Sequence, residues 1–166
     1  MEKDLKYKKI AVLGDTHHNT ERLVSALKGQ GVEYFLFTGD YYDDAVRLSR
    51  ELKVGFTGVL GNCDLLSGQT GASLEECINI YGKKVYLLHG HQYRVKEGLN
   101  LLYYRALEVE ADVVIFGHTH IPFCDRIDDV FFLNPGSPSK PRKGNKGTYM
   151  VIDGERERFN VRLFEL

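Results

Sequence analysis

Five times along the chain a short apolar run stops at a glycine and hands over to a side chain able to bind a cation: KIAVLGDTH, EYFLFTGD, FTGVLGNCD, KVYLLHGH and DVVIFGHTH. Such runs, rich in branched and aromatic residues and bounded by glycine, read as buried strands. Helical periodicity falls between some of them. Residues 19–28 follow a plausible Asn19 cap and carry Leu23, Val24 and Leu27 at helical spacing. Residues 43–52 and 99–110 read as helices as well. Alternating strands and helices predict an α/β start. The second half turns β-rich, with hairpins expected around Tyr81-Gly82, Asp128-Asp129 and Gly154. The expected architecture is therefore two packed sheets with helices outside, in a single domain covering residues 1–166. NPGSPSKPRKGNKG, residues 134–147, holds three of the four prolines and reads as a loop.

In open α/β sheets, ligands bind beyond the carboxyl ends of the strands. The five runs place Asp15, His17, Asp40, Asn62, His89, His118 and His120 there. Taken singly, a histidine or aspartate after a strand is ordinarily a cap or turn residue. Taken together, five strand ends carrying such residues point to convergence. Four imidazoles, two carboxylates and one amide oxygen are mixed nitrogen and oxygen donors. They suit manganese, iron, zinc, cobalt or nickel better than magnesium or calcium. Seven donors exceed one tetrahedral ion but fit two ions sharing a carboxylate. In GDTH and GHTH the donors stand two residues apart, and in extended chain residues so spaced point to the same side. Two adjacent divalent ions are a known device for phosphoester hydrolysis. Two aspartates leave such a centre net positive, so it attracts a phosphate ester. A water between the ions would ionise near neutral pH and attack phosphorus in line with the leaving group.

Composition narrows the alternatives. Hydrophobic residues make up 43%, charged residues 27%, and the formal net charge is −1. That balance argues against a general nucleic-acid coat, which needs a basic excess. The longest apolar runs are far too short to span a bilayer. The opening MEKDLKYKKIAVLGD has no long apolar core of a secretory signal, so a cytoplasmic location is expected. Cys63, Cys77 and Cys124 are odd in number and lack CxxC spacing, and read as reduced thiols. His18 reads as solvated or as support for a ligand. His91 reads evenly as a support or phosphate contact and as a plain structural residue, and Cys63 as a small residue lining the site. In the basic loop of Lys140, Arg142, Lys143 and Lys146, Arg142 is the candidate for substrate contact. Tyr103 and Tyr104 read as packing residues. VFFL leaves pairing within the chain or with a second copy equally open.

GDTH, GDYYD, GNCD, HGH and GHTH, in this order, resemble the five motifs of the calcineurin-like metallophosphoesterase superfamily. The resemblance runs from about Ile10 to Pro141. The short length, GNCD and NPGSPSKPR resemble its small YfcE-type phosphodiesterase branch. It implies a four-layer αββα sandwich, two mixed β-sheets flanked by helices, with a dinuclear centre. It implies that Asp15, His17 and His120 hold the first metal, Asn62, His89 and His118 the second, and that Asp40 bridges. Manganese comes first among the metals, with zinc, iron, nickel or cobalt also suited. Asp43, the second aspartate of GDxxD, is expected to orient a ligand from behind. Asn62 and His91 are the candidates for catalytic contact with phosphate. Many superfamily members carry histidine where this chain has Cys63. A thiol of ordinary pKa about 8.5 is a poor general acid, so activated or diester substrates are expected. The reading is thus a metal-dependent phosphodiesterase acting on a small phosphoester, with nucleic acid entering only as a nucleotide-like substrate. The alternatives are a phosphomonoesterase and a non-catalytic scaffold like the small retromer subunit of the same fold, whose motifs have lost some ligands.

Overall fold

The computed structural model describes residues 3–154 and 158–166. Among the described residues, eleven strands build two mixed sheets. The five-stranded sheet holds β2 (Lys9–Leu13), β3 (Tyr34–Phe37) and β4 (Gly55–Gly58), all parallel. β10 (Thr148–Asp153) pairs antiparallel with β2, and β11 (Asn160–Glu165) antiparallel with β10. In the six-stranded sheet, β6 (Lys83–Leu88), β7 (Val113–Ile115) and β9 (Val130–Pro135) run parallel. β5 (Glu75–Ile80) and β8 (Pro122–Ile127) flank them as antiparallel partners, and β1 (Lys3–Leu5) closes the edge beside β5.

The central strands are apolar on both faces because each face meets a different layer. Alternate residues of both sheets share one core: Ile10 and Val12, Leu36, Val85 and Leu87, Ile115, Met150 and Ile152. The outward residues of the five-stranded sheet, among them Leu13, Phe35 and Phe37, pack on α1 (Glu21–Gln30) and α2 (Tyr42–Leu52). Those of the six-stranded sheet, Tyr86, Leu88, Val114 and Phe132, pack on Leu102 and Ala106 of α4 (Asn100–Glu108). The order is helix, sheet, sheet, helix, as expected.

Local differences have local causes. The first helix caps on Thr20 rather than Asn19, and it buries Leu23, Val24 and Leu27 as its spacing requires. β1 was not anticipated, because KDL has no apolar run to announce it. Nor was α3 (Asn62–Leu66), a short helix that begins on the donor residue Asn62 itself. The hairpin at Tyr81-Gly82 turns through two left-handed residues, with φ of 49° and 73°. The hairpin expected around Gly154 joins β10 and β11, and residues 155–157 of its turn lie outside the described residues. Among the described residues, no helix is long and apolar enough to cross a membrane.

Candidate metal centre

The ladders of the parallel strands run on past their formal ends. The Thr38 N–H donates to Leu13 O at 2.8 Å, Asp15 N–H to Gly39 O at 3.0 Å, and Val59 N–H to Phe37 O at 3.1 Å. Asp15 and Asp40 therefore leave neighbouring strands side by side. In the other sheet, Gly117 N–H donates to His89 O at 3.0 Å, which sets the GHTH segment beside HGH. The sheets meet where His118 N–H donates to Asp15 Oδ2 at 2.9 Å. Gly39 makes one of these close approaches against backbone. Its φ is +102°, and a Cβ there would lie 2.8 Å from Gly61 N and 3.0 Å from His89 Nδ1. No residue with a side chain fits that position undisturbed.

Two donor groups result, each with its atoms within 4.8 Å of one another: Asp15, His17 and His120, and Asp40, His89 and His118. In the first, His120 Nε2 lies 3.2 Å from Asp15 Oδ1 and 3.3 Å from His17 Nε2. In the second, His89 Nε2 lies 3.2 Å from His118 Nδ1 and 3.4 Å from Asp40 Oδ2. Asn62 Oδ1 joins the second group, 3.1 Å from the same nitrogen. Five of the donors take left-handed backbone: Asp15, His17, Asp40, His118 and His120, with φ between 49° and 68°.

The tautomers follow from the backbone. His120 Nδ1 stands 2.9 Å from Lys140 O, and His89 Nδ1 2.9 Å from Thr38 O. A carbonyl only accepts, so each Nδ1 carries a hydrogen and Nε2 is the nitrogen each ring turns inward, free to bind a cation once it holds no proton. The two Nε2 atoms face carboxylate oxygens and an amide oxygen. Asp15 Oδ1 is buried with no hydrogen-bond donor of its own. Electron-rich atoms gathered in this way fit cations between them.

The electrostatics agree. Burial alone would raise the Asp40 carboxyl, but His89 and the Cys63 N–H, which donates to Asp40 Oδ1 at 2.9 Å, hold it well below the usual carboxylate range. Burial alone would lower His89, but the Asp40 hydrogen bond and the charges of Asp15 and Asp40 raise it. His118 goes the other way: burial, then the charges of His89 and Lys96, push it down to about 4. His17 is lowered by burial, Lys140 and His120. His91 stands beside the second group, its ring centroid 5.4 Å from that of His89 and 6.1 Å from that of His118. Its Nδ1 is buried without a partner, and burial and His89 lower its pKa. Burial and Asp40 push the Cys63 thiol up to about 11.

Two sequence expectations shift. Asp43 is exposed and accepts a hydrogen bond from Gln69 Nε2 at 3.3 Å, away from the donors. The buried carboxylate behind the site is its neighbour Asp44, which accepts from Thr16 Oγ1 at 2.6 Å, His18 N–H at 2.8 Å and Arg47 at 2.9 Å. Helix α2 starts at Tyr42, and that register turns Asp44 inward and Asp43 outward. Arg142 touches the centre through its backbone, donating its N–H to His120 O at 3.2 Å. Sequence reasoning missed the frame residues. Asp64 accepts from Tyr42 N–H and Gly61 N–H. Asn134 donates to Gly117 O, Ser137 Oγ to Asp15 O, and Ser139 Oγ to Thr16 O. The signal was present in NPGSPSKP, a polar loop whose hydroxyls had no stated partner. It locks the backbone under both donor groups.

The sequence pattern of the calcineurin-like phosphoesterase superfamily domain matches residues 9–157. A probable metallophosphoesterase of Methanothermobacter thermautotrophicus is 34% identical over 155 residues, covering 89% of this chain and 87% of the relative. The phosphodiesterase YfcE of Escherichia coli is 26% identical over 170 residues, covering 89% and 88%. Among solved structures, wild-type Vps29 of Entamoeba histolytica complexed with zinc superposes with a TM-score of 0.75 at 22% identity, over 95% of this chain and 98% of that one.

Proposed function

The chain belongs to the calcineurin-like phosphoesterase superfamily, and from that premise we propose that it is a dinuclear metal-dependent phosphodiesterase. Asp15, His17 and His120 would hold one divalent cation, Asn62, His89 and His118 a second, and Asp40 both. Manganese is the first choice, with zinc, iron, nickel or cobalt compatible with the same mixed donors. Such cations would draw in the anionic phosphorus group, withdraw electrons from it and acidify water. The observation that carries this reading is the pair of donor groups joined through Asp15, whose Oδ1 faces His120 while its Oδ2 is held by the His118 N–H.

The chain's other groups do the positioning. Thr38 O and Lys140 O fix which nitrogen of His89 and His120 faces inward. The Cys63 N–H holds Asp40 ionised and oriented. His91, beside His89 and His118 and with an unpartnered Nδ1, is the group left to exchange a hydrogen bond with a phosphoryl oxygen. Cys63, with its thiol at about 11, gives a leaving group little acid assistance. That favours leaving groups that depart unaided, and YfcE, a relative, is named a phosphodiesterase. We place the enzyme in the cytoplasm, in keeping with the odd number and the spacing of its cysteines. A scaffold role is the second reading, favoured by the likeness of fold to Vps29.

The test is hydrolysis of bis(p-nitrophenyl) phosphate beside p-nitrophenyl phosphate, by protein stripped with chelator and then titrated with manganese, zinc, nickel, cobalt and magnesium. Metal-restored turnover that favours the diester is expected. A faster monoester would make it a phosphatase. Two bound ions without turnover of either ester would favour the scaffold.

A further inference from the structure

A groove opens beside the GHTH segment, with a volume near 360 Å³, within the range of small-molecule sites. Phe123, half-buried, is its aromatic wall, with its ring 6.4 Å from that of Phe116, the fully buried residue after β7. Val95, Leu99 and Ile121 complete an apolar lining, and Ile121 is 39% exposed. The groove is continuous with the centre through the chain itself: Thr119 lines it between His118 and His120, and Ile121 follows His120. Two cations stand on its rim, Lys96 and Arg142. Both are exposed, and among the described residues neither forms an ion pair. Arg142 is tethered to His120 by its own N–H, and the Lys96 charge reaches His118. A second hollow meets the centre at Tyr41 and Cys63. A phosphodiester has two arms, and here two recesses are each lined by residues next in the chain to the gathered donors.

We propose that this groove seats one arm of the substrate, a flat ring system such as a nucleobase or aryl group carrying a second anionic group of its own. Phe123 gives the ring an aromatic neighbour, and the apolar lining takes it by burial. Lys96 and Arg142 take the anion, Arg142 with a planar fork suited to phosphate. The inference rests on the phosphodiesterase reading and narrows it: the preferred substrates are nucleotide-like diesters with an extra phosphate, not simple alkyl diesters.

Three p-nitrophenyl diesters test it with the manganese-loaded protein: methyl p-nitrophenyl phosphate, thymidine 5′-(p-nitrophenyl phosphate), and the same thymidine ester bearing a 3′-phosphate. The expected order of kcat/KM rises along that series. In the Lys96→Gln/Arg142→Gln double variant, the advantage given by the 3′-phosphate should fall about tenfold, as the loss of a charge-assisted contact implies. The Ile121→Gln variant should instead narrow the gap between the thymidine ester and the methyl ester. Equal rates on all three esters, or variants that slow all three alike, would overturn the groove assignment while leaving the esterase reading intact. Binding of thymidine 3′,5′-bisphosphate, followed by NMR shifts of the Ile121 and Leu99 methyls, separates the two claims. Absence of turnover on every ester, with those shifts present and weakened in the double variant, would sink the esterase reading and keep the groove. Shifts absent, or unchanged in the double variant, would remove it.

Discussion

Asp40 carries the largest share of the site at the scale of single residues. One carboxylate oxygen is fixed by the Cys63 N–H and the other faces His89. Asp40→Asn removes the charge that both cations would share, so bound metal should fall from two equivalents toward one or none; elemental analysis after gel filtration reads this directly, and two tightly held ions would contradict the bridge. His91→Gln should behave differently. It leaves both donor groups whole, so metal content should stay at the wild-type level while kcat falls on the order of 10²-fold, the low end for loss of a proton-handling side chain. Steady-state kinetics beside metal analysis checks both halves. The seven residues that the structure gathers stood out in the sequence because each lies just beyond an apolar run with a glycine close by. Asp44 could not be told from Asp43, because which of two adjacent aspartates turns inward depends on where α2 begins. The serines of the NPGSPSKP loop were equally hidden, since their partners are backbone oxygens more than 100 residues away.

Elements matter here mainly for where they stop. β2, β3 and β4 end at one edge of their sheet, and the carboxyl ends of β6 and β7 come up against them. Gly39 lets the Asp40 segment close on Gly61 and His89. Gly39→Ala should cost about 2–4 kcal/mol, from strain at a left-handed position plus overpacking. It should also lower metal affinity, because the displaced neighbours are the α3 N-terminus and a donor imidazole. Urea unfolding of the chelated variant measures the first effect and metal titration the second; an unchanged midpoint would show that the loop relaxes freely. Strands apolar on both faces were plain in the sequence, and so were the two hairpins with described turns. β1 and α3 were not: three residues of KDL carry no periodicity, and NCDLL owes its helix to Asp64 bonding back to Gly61 and Tyr42.

For the whole molecule, the centre is a clasp between two sheets. Asp15, His17, Asp40 and Asn62 follow strands of one sheet, and His89, His118 and His120 follow strands of the other. Metal loading should therefore raise the melting temperature, by an amount that grows with free metal as binding linkage requires. Differential scanning fluorimetry with and without chelator reads the shift, and coincident curves would show that the ions do not tie the sheets. The effect has a definite pH dependence. His89 has its pKa raised above 6.5, so the metal-free fold gains from the protonated His89–Asp40 pair below that value and loses the gain as pH rises through the raised pKa. Metal must expel that proton. Affinity should then climb with pH across the same window, and calorimetry near pH 6.5 in buffers of different ionisation enthalpy should show proton release. Absence of any buffer dependence would contradict it. The left-handed backbone at Asp15, His17, Asp40, His118 and His120 bears on how such a molecule evolves. Each is a position where glycine relieves conformational strain of roughly 1 kcal/mol or more. Selection for heat resistance alone would favour replacing the donors themselves. A lineage released from catalysis would drift toward a sturdier, metal-free protein of the same shape, and the ligands would be among the first residues to go.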